Sequence, residues 1–370
     1  MSSKIRVLVV EDSLTIRKHL VELLSADPAF TVVGEAKDGR SAIQQCEALR
    51  PDVVTMDMML PVMSGLAATE YIMAFCPTPI VICSASMNRG EVFRTYDAIS
   101  AGAVDVFPKL KPGDDEEAWA TKFKSVVRIA SRIKVVTHPR AKLATVLPDL
   151  VRSLTPSPHG APPAPVGPPP PAMPMVPGRP LGVIAIGAST GGPGAVRRVL
   201  IDLPVSFPLP ILLVLHIGEP FDLALADWLD AQSPHRVVFA TEGMPVVDGG
   251  PRVIMSPGGK HMFVSGGRVR LGSGPERHSC RPSVDVLFES VATEYGSAAG
   301  AVLMTGMGRD GADGLLAIRR VGGRTIAQDE ATCVIYGMPR AAVMNGAAES
   351  VQPLDGIAAE LVRLAAGARP

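Results

Sequence analysis

Short runs of aliphatic residues alternate with amphipathic segments along the first 136 residues. The run Ile5–Val10 is followed by Leu14–Ser25, in which apolar residues recur at helical spacing. Further predicted strands are Thr31–Ala36, Val53–Met56, Ile80–Cys83 and Val104–Phe107, and a last helix is predicted from about Glu116 to Val136. Five strand–helix repeats predict a flavodoxin-like, parallel, doubly wound sheet, because right-handed crossovers leave few other topologies.

The same alternation returns after residue 180. Predicted strands are Val183–Ile186, Pro210–Leu215, Val237–Ala240, Gly300–Thr305 and Thr325–Gln328. Predicted helices are about Pro193–Leu200, Phe221–Ala231, Ser283–Tyr295, Ala312–Val321 and Leu354–Ala366. Strand-like runs joined by glycine turns over Arg252–Val264 and Arg268–Leu271 predict a small antiparallel patch. We therefore expect a second α/β domain, Rossmann-like and doubly wound.

A proline-rich stretch separates the two patterns. The segment Thr155–Pro171 cannot form a helix or a central strand, since proline removes N–H donors and fixes φ. An extended, semi-rigid tether is favoured over an SH3-type ligand. A short helix within 143–150 stays open. The predicted division is a first domain at 1–136, a linker at 137–180 and a second domain at 181–370.

The amino-acid composition limits which binding partners and which cellular location we expect. The 370 residues carry a formal net charge of zero, so no electrostatic argument favours nucleic acid or an anionic membrane. The five cysteines form no CxxC pair, which favours reduced thiols over disulfides or a zinc site. Neither a signal peptide nor an apolar run long enough to cross a bilayer is present in the sequence. We expect a cytoplasmic protein without membrane insertion.

Polar residues follow four strands of the first domain. Glu11 and Asp12 follow the first strand, Asp57 the third, Ser84 the fourth and Lys109 the fifth. The carboxyl ends of parallel strands meet at one edge of a sheet, so these side chains should share a crevice. Three carboxylates there would repel one another without a hard cation, and Mg²⁺ suits their oxygens.

Residues 4–110 resemble the receiver domain of two-component response regulators. The resemblance implies that Asp57 accepts a phosphoryl group from a histidine kinase. It also implies that Asp12, Asp57, the Met59 carbonyl and waters hold Mg²⁺, with Glu11 helping.

The same resemblance gives roles to the last two strand ends. Lys109 would pair with the phosphoryl oxygens, and Ser84 would hydrogen-bond to one of them. Many receivers carry an aromatic residue three positions before this lysine, whereas this chain has Val106. A readout through an aromatic rotamer is therefore in doubt, although phosphorylation itself is not.

A glycine-rich loop opens the second domain. This serine loop, Gly187–Gly192, follows a buried strand and leads into a helix. Ser189 at such a turn fits the nucleophile elbow, in which small neighbours expose the hydroxyl. The loop fits equally well the phosphate-binding turn of a dinucleotide-binding unit. On this stretch alone both interpretations stay open.

The residues after two other strands favour the nucleophile. The next strand ends in His216, where a dinucleotide-binding unit should carry an acid for the ribose. A histidine is the base that the Ser189 hydroxyl needs, and Asp310 follows a further strand end, where it could orient the imidazole. Asp310 could instead cap a helix, and His261 and His278 are rival bases.

Residues 181–365 resemble the catalytic domain of chemotaxis protein-glutamate methylesterases, the CheB family. The motifs are Gly187–Gly192, Leu215–His216, Ser256–His261, Arg281–Asp285 and Thr305–Ala312. The resemblance implies Ser189 as nucleophile, His216 as general base and acid, and Asp310 as the orienting carboxylate. It implies no cofactor for the ester chemistry.

Other positions are assigned less directly. Backbone N–H groups near Thr190 or Met307 are candidate oxyanion donors, and Arg281 is a candidate substrate contact. Two residues depart from the family pattern. Leu215 stands where a glutamine often precedes the histidine, and Cys280 stands where a histidine often precedes the arginine.

The expected function is phosphorylation-activated demethylation of glutamate methyl esters on chemoreceptors, with release of methanol and with glutamine deamidation as a second activity. The unphosphorylated receiver would cover the esterase crevice, and the long linker would make that inhibition leakier by lowering the effective concentration. Two alternatives remain: the same enzyme on a receptor array outside motility, and a receiver-linked nucleotide-binding module without catalysis.

Overall fold

The computed structural model describes residues 4–84, 89–133, 135, 180–218, 221–247 and 252–367, with backbone alone for 89–94. Nearly all of the predicted linker, including the short helix considered within 143–150, lies outside these residues. Within the described ranges, no helix combines the length and the apolar character needed to cross a membrane.

The first sheet has five parallel strands in the order β2-β1-β3-β4-β5. The strands are β1 (Ile5–Val10), β2 (Phe30–Ala36), β3 (Val53–Asp57), β4 (Ile80–Ser84) and β5 (Asp105–Pro108). The helices are α1 (Leu14–Ser25), α2 (Gly39–Leu49), α3 (Gly65–Phe75), α4 (Arg89–Ser100) and α5 (Glu116–Ala130). The predicted doubly wound receiver sheet is confirmed.

Helix α5 ends six residues earlier than the sequence pattern predicts. It begins as expected, with Asp115 Oδ1 accepting the Ala118 N–H at 3.0 Å. At the other end the Ser131 hydroxyl donates to the carbonyl of Arg128 at 2.9 Å. Such local hydrogen bonds offer the backbone an alternative to further helix, which apolar periodicity does not reveal. The prediction of a helix to Val136 is therefore wrong at its end.

The second sheet has seven parallel strands in the order β14-β13-β12-β6-β7-β9-β8. The strands of this domain are β6 (Val183–Ala188), β7 (Ile211–Leu215), β8 (Val237–Phe239), β9 (Val253–Met255), β10 (His261–Ser265), β11 (Arg268–Gly272), β12 (Ala299–Leu303), β13 (Arg324–Gln328) and β14 (Ser350–Gln352). The helices are α6 (Gly192–Asp202), α7 (Phe221–Gln232), α8 (Val284–Tyr295), α9 (Ala312–Arg320), α10 (Met338–Met344) and α11 (Leu354–Ala365), with a 3₁₀ turn at Gly296–Ala298. The Rossmann-like prediction is confirmed.

The antiparallel patch is smaller than the sequence predicts. Among the described strands, antiparallel pairing joins β10 to β11, whereas β9 joins the main sheet between β7 and β8. All three residues of β9 are buried, as is typical of a central parallel strand. The sequence pattern predicts neither α10 nor β14, because their seven and three residues leave little periodicity to detect.

Alternate residues of β6 face two apolar layers. Ile184 and Ile186 pack in the core that includes α6, α7 and α11, and Val183 and Ala185 pack in the core that includes α8 and α9. Strand β6 pairs with β7 on one side and with β12 on the other. The strand order therefore runs outward from β6 in one direction through β7 and in the other through β12 and β13. A crevice opens at the carboxyl ends of the strands where the direction reverses. The serine loop leaves β6 at this crevice.

The first domain packs on the second through α4. The Tyr96 hydroxyl is buried and donates to the Phe221 carbonyl at 2.8 Å. The Trp228 indole N–H donates to Asp97 Oδ1 at 3.2 Å, and the rings of Tyr96 and Trp228 lie 5.6 Å apart. A buried, partly polar contact therefore joins α4 to α7.

Candidate active site

The backbone of the serine loop turns sharply after β6. Gly191 has a φ of 76°, and a Cβ there would lie 2.5 Å from Val334, so only glycine fits. The Ser189 N–H donates to the Thr305 carbonyl at 2.9 Å, and the Gly192 N–H donates to the Ser189 carbonyl at 2.7 Å. These bonds hold Ser189, which is half-buried, at the start of α6.

The loop after β12 holds the serine loop from the other side. A Cβ on Gly306 would lie 2.7 Å from Ser189 Cβ, so the close approach of the two loops requires glycine. The Thr305 hydroxyl donates to the Thr190 carbonyl at 3.0 Å and accepts the Ile335 N–H at 2.9 Å. Ser189 therefore lies between two loops whose backbones are fixed to each other.

His216 lies at the adjacent strand end. The register of β6 and β7 pairs Ala188 with Leu215, so Ser189 and His216 follow paired residues. The His216 N–H donates to the Ala188 carbonyl at 3.1 Å. In the side chain, Nε2 lies 2.8 Å from Asp310 Oδ2. Within the described residues, no hydrogen bond joins the Ser189 hydroxyl to His216.

Asp310 is buried and accepts four hydrogen bonds. Besides His216, the donors are the Ser283 hydroxyl at 2.7 Å and the N–H groups of Val284 and Asp285 at 2.7 and 3.1 Å. Both of these N–H groups lie in the first turn of α8. Asp310 is therefore both a helix cap and the hydrogen-bond partner of His216. The helix that it caps is α8, and not α9, which follows Asp310 in the sequence.

Burial and hydrogen bonding act in opposite directions on this pair. Burial alone would raise the pKa of Asp310, but the bonds from His216 and Ser283 outweigh it and hold the pKa at about 2. Burial would likewise lower the pKa of His216, but the bonds to Asp310 and Cys280 outweigh it and raise the pKa to about 9. Both pKa shifts favour an ionised Asp310 carboxylate next to the imidazole of His216.

The two rival histidines have other partners. His261 is buried; its Nδ1 accepts the Ser283 N–H at 3.2 Å and its Nε2 lies 3.0 Å from the Pro275 carbonyl. Both of its ring nitrogens are therefore used. His278 Nε2 lies 3.1 Å from Asp285 Oδ2. Of the three histidines, only His216 contacts Asp310 through a hydrogen bond within the described residues.

Ser283 and Asp285 have structural roles that the sequence pattern does not predict, although both lie in the Arg281–Asp285 motif. Ser283 is the N-cap of α8, and its hydroxyl accepts the Val286 N–H at 3.4 Å while donating to Asp310. Asp285 Oδ1 accepts the Gly314 N–H of α9 at 2.6 Å. A serine directly before an apolar run is a helix-start signal that could have identified the cap.

The predicted oxyanion and substrate contacts lie around the same crevice. Within the described residues, neither the Thr190 N–H nor the Met307 N–H makes a hydrogen bond, so both remain candidate oxyanion donors. The Met307 side chain is exposed. Arg281 Nη1 donates to the Gly274 carbonyl at 2.9 Å, and its buried Nε has no partner among the described groups. The roles of these three residues stay predictions.

The first domain reaches the serine loop through β5. Burial raises the pKa of Asp105 to about 6, although its bonds with the Val106 N–H and the Thr190 side chain act to lower it. Val106 itself packs against the core that spans both domains. The first domain therefore contacts the residue that directly follows Ser189.

Carboxylates and a lysine cluster at the carboxyl edge of the first sheet. Glu11, Asp12 and Asp57 can place one oxygen each within 4.8 Å of one another. Lys109 Nζ lies 2.6 Å from Glu11 Oε2 and 3.0 Å from Asp57 Oδ2. The structure thus brings together the four charged residues that the strand ends suggest.

The neighbouring groups complete this edge. The Met59 N–H lies 3.4 Å from Asp57 Oδ1, and buried Ser84 ends β4, where its carbonyl accepts the Lys109 N–H at 3.0 Å. A Cβ on Gly65 would lie 2.0 Å from the Asp57 carbonyl, so glycine is required where α3 begins.

We predict that Asp310→Asn lowers the pKa of His216 from about 9 towards the ordinary histidine value of about 6.5, because burial remains while the charged partner is lost. Histidine NMR titration measures it, with His216→Ala assigning the resonance. The control Asp313→Asn removes an acid that pairs with Arg309. An unchanged His216 pKa in Asp310→Asn would contradict the proposed pairing.

Known proteins match both halves of the chain. A family model described as CheB methylesterase matches residues 184–361, and one described as response regulator receiver domain matches residues 7–120. Protein-glutamate methylesterase/protein-glutamine glutaminase 4 of Myxococcus xanthus is 41% identical over 360 residues, which is 96% of each chain. The corresponding protein of Nitrosospira multiformis is 41% identical over 98% of this chain and 97% of its own.

A solved structure also matches the second domain. The Thermotoga maritima CheB methylesterase catalytic domain is 36% identical, with a TM-score of 0.47, and covers 50% of this chain and 98% of that one. The 41% identity to each of these two relatives extends over nearly the full length of the chain and establishes its family. The chain belongs to the family of receiver-linked CheB protein-glutamate methylesterases.

Proposed function

We propose that this protein is a phosphorylation-activated serine hydrolase that demethylates glutamate methyl esters on chemoreceptors in chemotaxis adaptation, releasing methanol. The observation that carries the proposal is the 2.8 Å contact of His216 with the buried Asp310 carboxylate, at the strand end next to Ser189. A neutral hydroxyl is a poor nucleophile without such a base. The family membership agrees with a hydrolase.

The first step forms an acyl-enzyme. Ser189 Oγ attacks the carbonyl carbon of the γ-glutamyl methyl ester, and His216 takes the hydroxyl proton. Because Asp310 holds Nε2, the nitrogen left to accept this proton is Nδ1. The bond to the methoxy group then breaks, and the proton on Nδ1 passes to the leaving oxygen to give methanol.

The second step is hydrolysis of the acyl-enzyme. His216 Nδ1 takes a proton from water, whose oxygen attacks the acyl carbon, and the proton returns to Ser189 as the glutamate side chain leaves. The backbone N–H groups of Thr190 and Met307 are our candidate donors to the oxyanion of each step. A glutamine side chain would react in the same way with loss of ammonia, which makes deamidation the second proposed activity.

The first domain supplies the proposed switch. Asp57 would accept a phosphoryl group from a histidine kinase, and the clustered carboxylate oxygens suit Mg²⁺, which prefers oxygen ligands. Asp12, Asp57 and the Met59 carbonyl, with Glu11 helping, would hold the ion, which neutralises charge on the transferring group. Lys109, already 3.0 Å from Asp57, would pair with the phosphoryl oxygens, and Ser84 would hydrogen-bond to one of them.

Contacts between the domains support inhibition before phosphorylation. Tyr96 and Trp228 join α4 to α7, and Asp105 of β5 meets Thr190 beside the nucleophile. We infer that these contacts restrict the path of a receptor helix to Ser189. Phosphorylation adds about two negative charges at the edge of the sheet that also carries α4 and β5, and so can shift their packing.

The alternatives differ in how they fit. A nucleotide-binding module without catalysis leaves the contact between His216 and Asp310 unexplained, and membership of a hydrolase family disfavours it. The same enzyme on a receptor array outside motility fits equally well, since the substrate lies on another protein. A cytoplasmic location is part of the proposal and agrees with five free cysteines.

Ser189→Ala should lower methanol release from methylated receptors by at least about a thousandfold, because the acyl-enzyme cannot form. Methanol is measured with the full chain after an acyl-phosphate donor is added. Ser265→Ala, at an exposed serine of β10, is the matched control and should keep its activity. Full activity in a folded Ser189→Ala variant would rule out the proposed nucleophile.

The proposed switch makes a separate prediction. An acyl-phosphate donor should raise methanol release in the wild type but not in Asp57→Asn. Without the donor, Tyr96→Phe should raise basal release about fivefold, because losing a hydrogen bond worth about 1 kcal/mol weakens the contact between domains.

The matched control is Tyr71→Phe, which removes an exposed hydroxyl that pairs with Glu47 within the first domain. Its basal release should equal that of the wild type. An Asp57→Asn variant that still responds to the donor, or a Tyr96→Phe variant with wild-type basal release, would count against the switch.

A further inference from the structure

A thiol without a role in the proposed reaction lies against the candidate base. Cys280 is a free, half-buried cysteine, and its Sγ lies 3.6 Å from His216 Nδ1. Cys46, Cys76 and Cys83 are buried in the first domain, and half-buried Cys333 has its Sγ 4.0 Å from the Gln328 carbonyl. Of the five thiols, only that of Cys280 contacts a histidine within the described residues.

The separation of these two atoms suits neighbouring ligands of a zinc ion. Structural and catalytic zinc sites are usually tetrahedral, with Zn–S of about 2.3 Å and Zn–N of about 2.1 Å. With those bond lengths, ligand atoms 3.6 Å apart give an S–Zn–N angle of about 110°. This is close to the tetrahedral angle of about 109°. The separation therefore fits two neighbouring ligands of a tetrahedral zinc ion.

Asp310 already lies where the hydrogen-bond partner of a zinc-binding histidine would lie. A histidine that binds zinc through one ring nitrogen usually donates the N–H of the other to a carboxylate, which fixes the tautomer. Asp310 Oδ2 lies 2.8 Å from Nε2, so in the neutral imidazole the proton lies on Nε2 and the lone pair on Nδ1, the nitrogen beside Cys280. His216, Cys280 and Asp310 also bring one potential ligand atom each within 4.8 Å of one another.

The ligand types favour zinc over the hard cations. Thiolate and imidazole are soft and borderline ligands, whereas Mg²⁺ prefers oxygen. When the metal binds, the thiol loses its proton to solvent, and so does the imidazole wherever His216 is protonated, so binding weakens as the pH falls. Two protein ligands leave two positions for water.

We propose that Cys280 Sγ and His216 Nδ1 form an inhibitory site for zinc within the esterase crevice. The metal uses the lone pair that must accept the Ser189 proton, so a zinc-bound molecule cannot form the acyl-enzyme. The inhibition rests on the proposed function, whereas the binding does not. Cysteine spacing gave no sign of this site, because the two ligands are 64 residues apart.

Zinc binding to the full chain tests the site without substrate. Zinc alone is titrated against a chromophoric chelator at saturating Mg²⁺, which blocks the carboxylates of the first domain. Cys280→Ser should bind zinc at least about tenfold more weakly than the wild type, since it lacks the thiolate. Cys333→Ser, which removes the other half-buried thiol, should bind like the wild type.

Methanol release then tests the inhibition, with each variant compared with its own zinc-free rate. Zinc should inhibit the wild type and Cys333→Ser, a chelator should restore the rate, and Cys280→Ser should need at least about tenfold more zinc. Equal zinc affinity in Cys280→Ser and the wild type would overturn the site. Binding that depends on Cys280 but leaves methanol release unchanged would overturn the inhibition. If no variant releases methanol, the proposed function fails while the binding result stands.

Discussion

The carboxylate of Asp310 joins three parts of the second domain that are distant in the sequence. It follows β12, accepts N–H groups from the first turn of α8, and contacts the histidine that follows β7. A buried charge that loses one partner costs about 3–5 kcal/mol, so these contacts depend on one another. Both oxygens of the Asp310 carboxylate accept hydrogen bonds, and these bonds hold the crevice beside Ser189 in its shape.

The electrostatic balance at Asp310 also determines what His216 can do. Four donors keep the carboxylate ionised in a buried place, and the carboxylate in turn raises the pKa of the imidazole. A base must be neutral to accept a proton, so activity should rise with pH as His216 loses its proton. The same orientation directs Nδ1 towards Cys280, which connects the proposed reaction to the proposed zinc site.

Much of the fold could be predicted because buried parallel strands are aliphatic runs whose ends carry the functional residues. This pattern predicts that Asp57, His216 and Asp310 lie at functional sites, since the carboxyl ends of parallel strands share an edge. Short elements such as α10 and β14 carry too few residues for a period. The contact of Cys280 with His216 could not be predicted, because it depends on the path of the chain between β11 and α8. Most of the linker lies outside the described residues, so its predicted form stays a prediction.

Activation of Ser189 by His216 and Asp310 can be measured by labelling the protein with a serine-directed fluorophosphonate, followed by peptide mass spectrometry. We expect one adduct per chain, on Ser189, formed at least about a hundredfold more slowly in folded His216→Ala. An adduct on another residue, or labelling of Ser189 at the wild-type rate in His216→Ala, would contradict it.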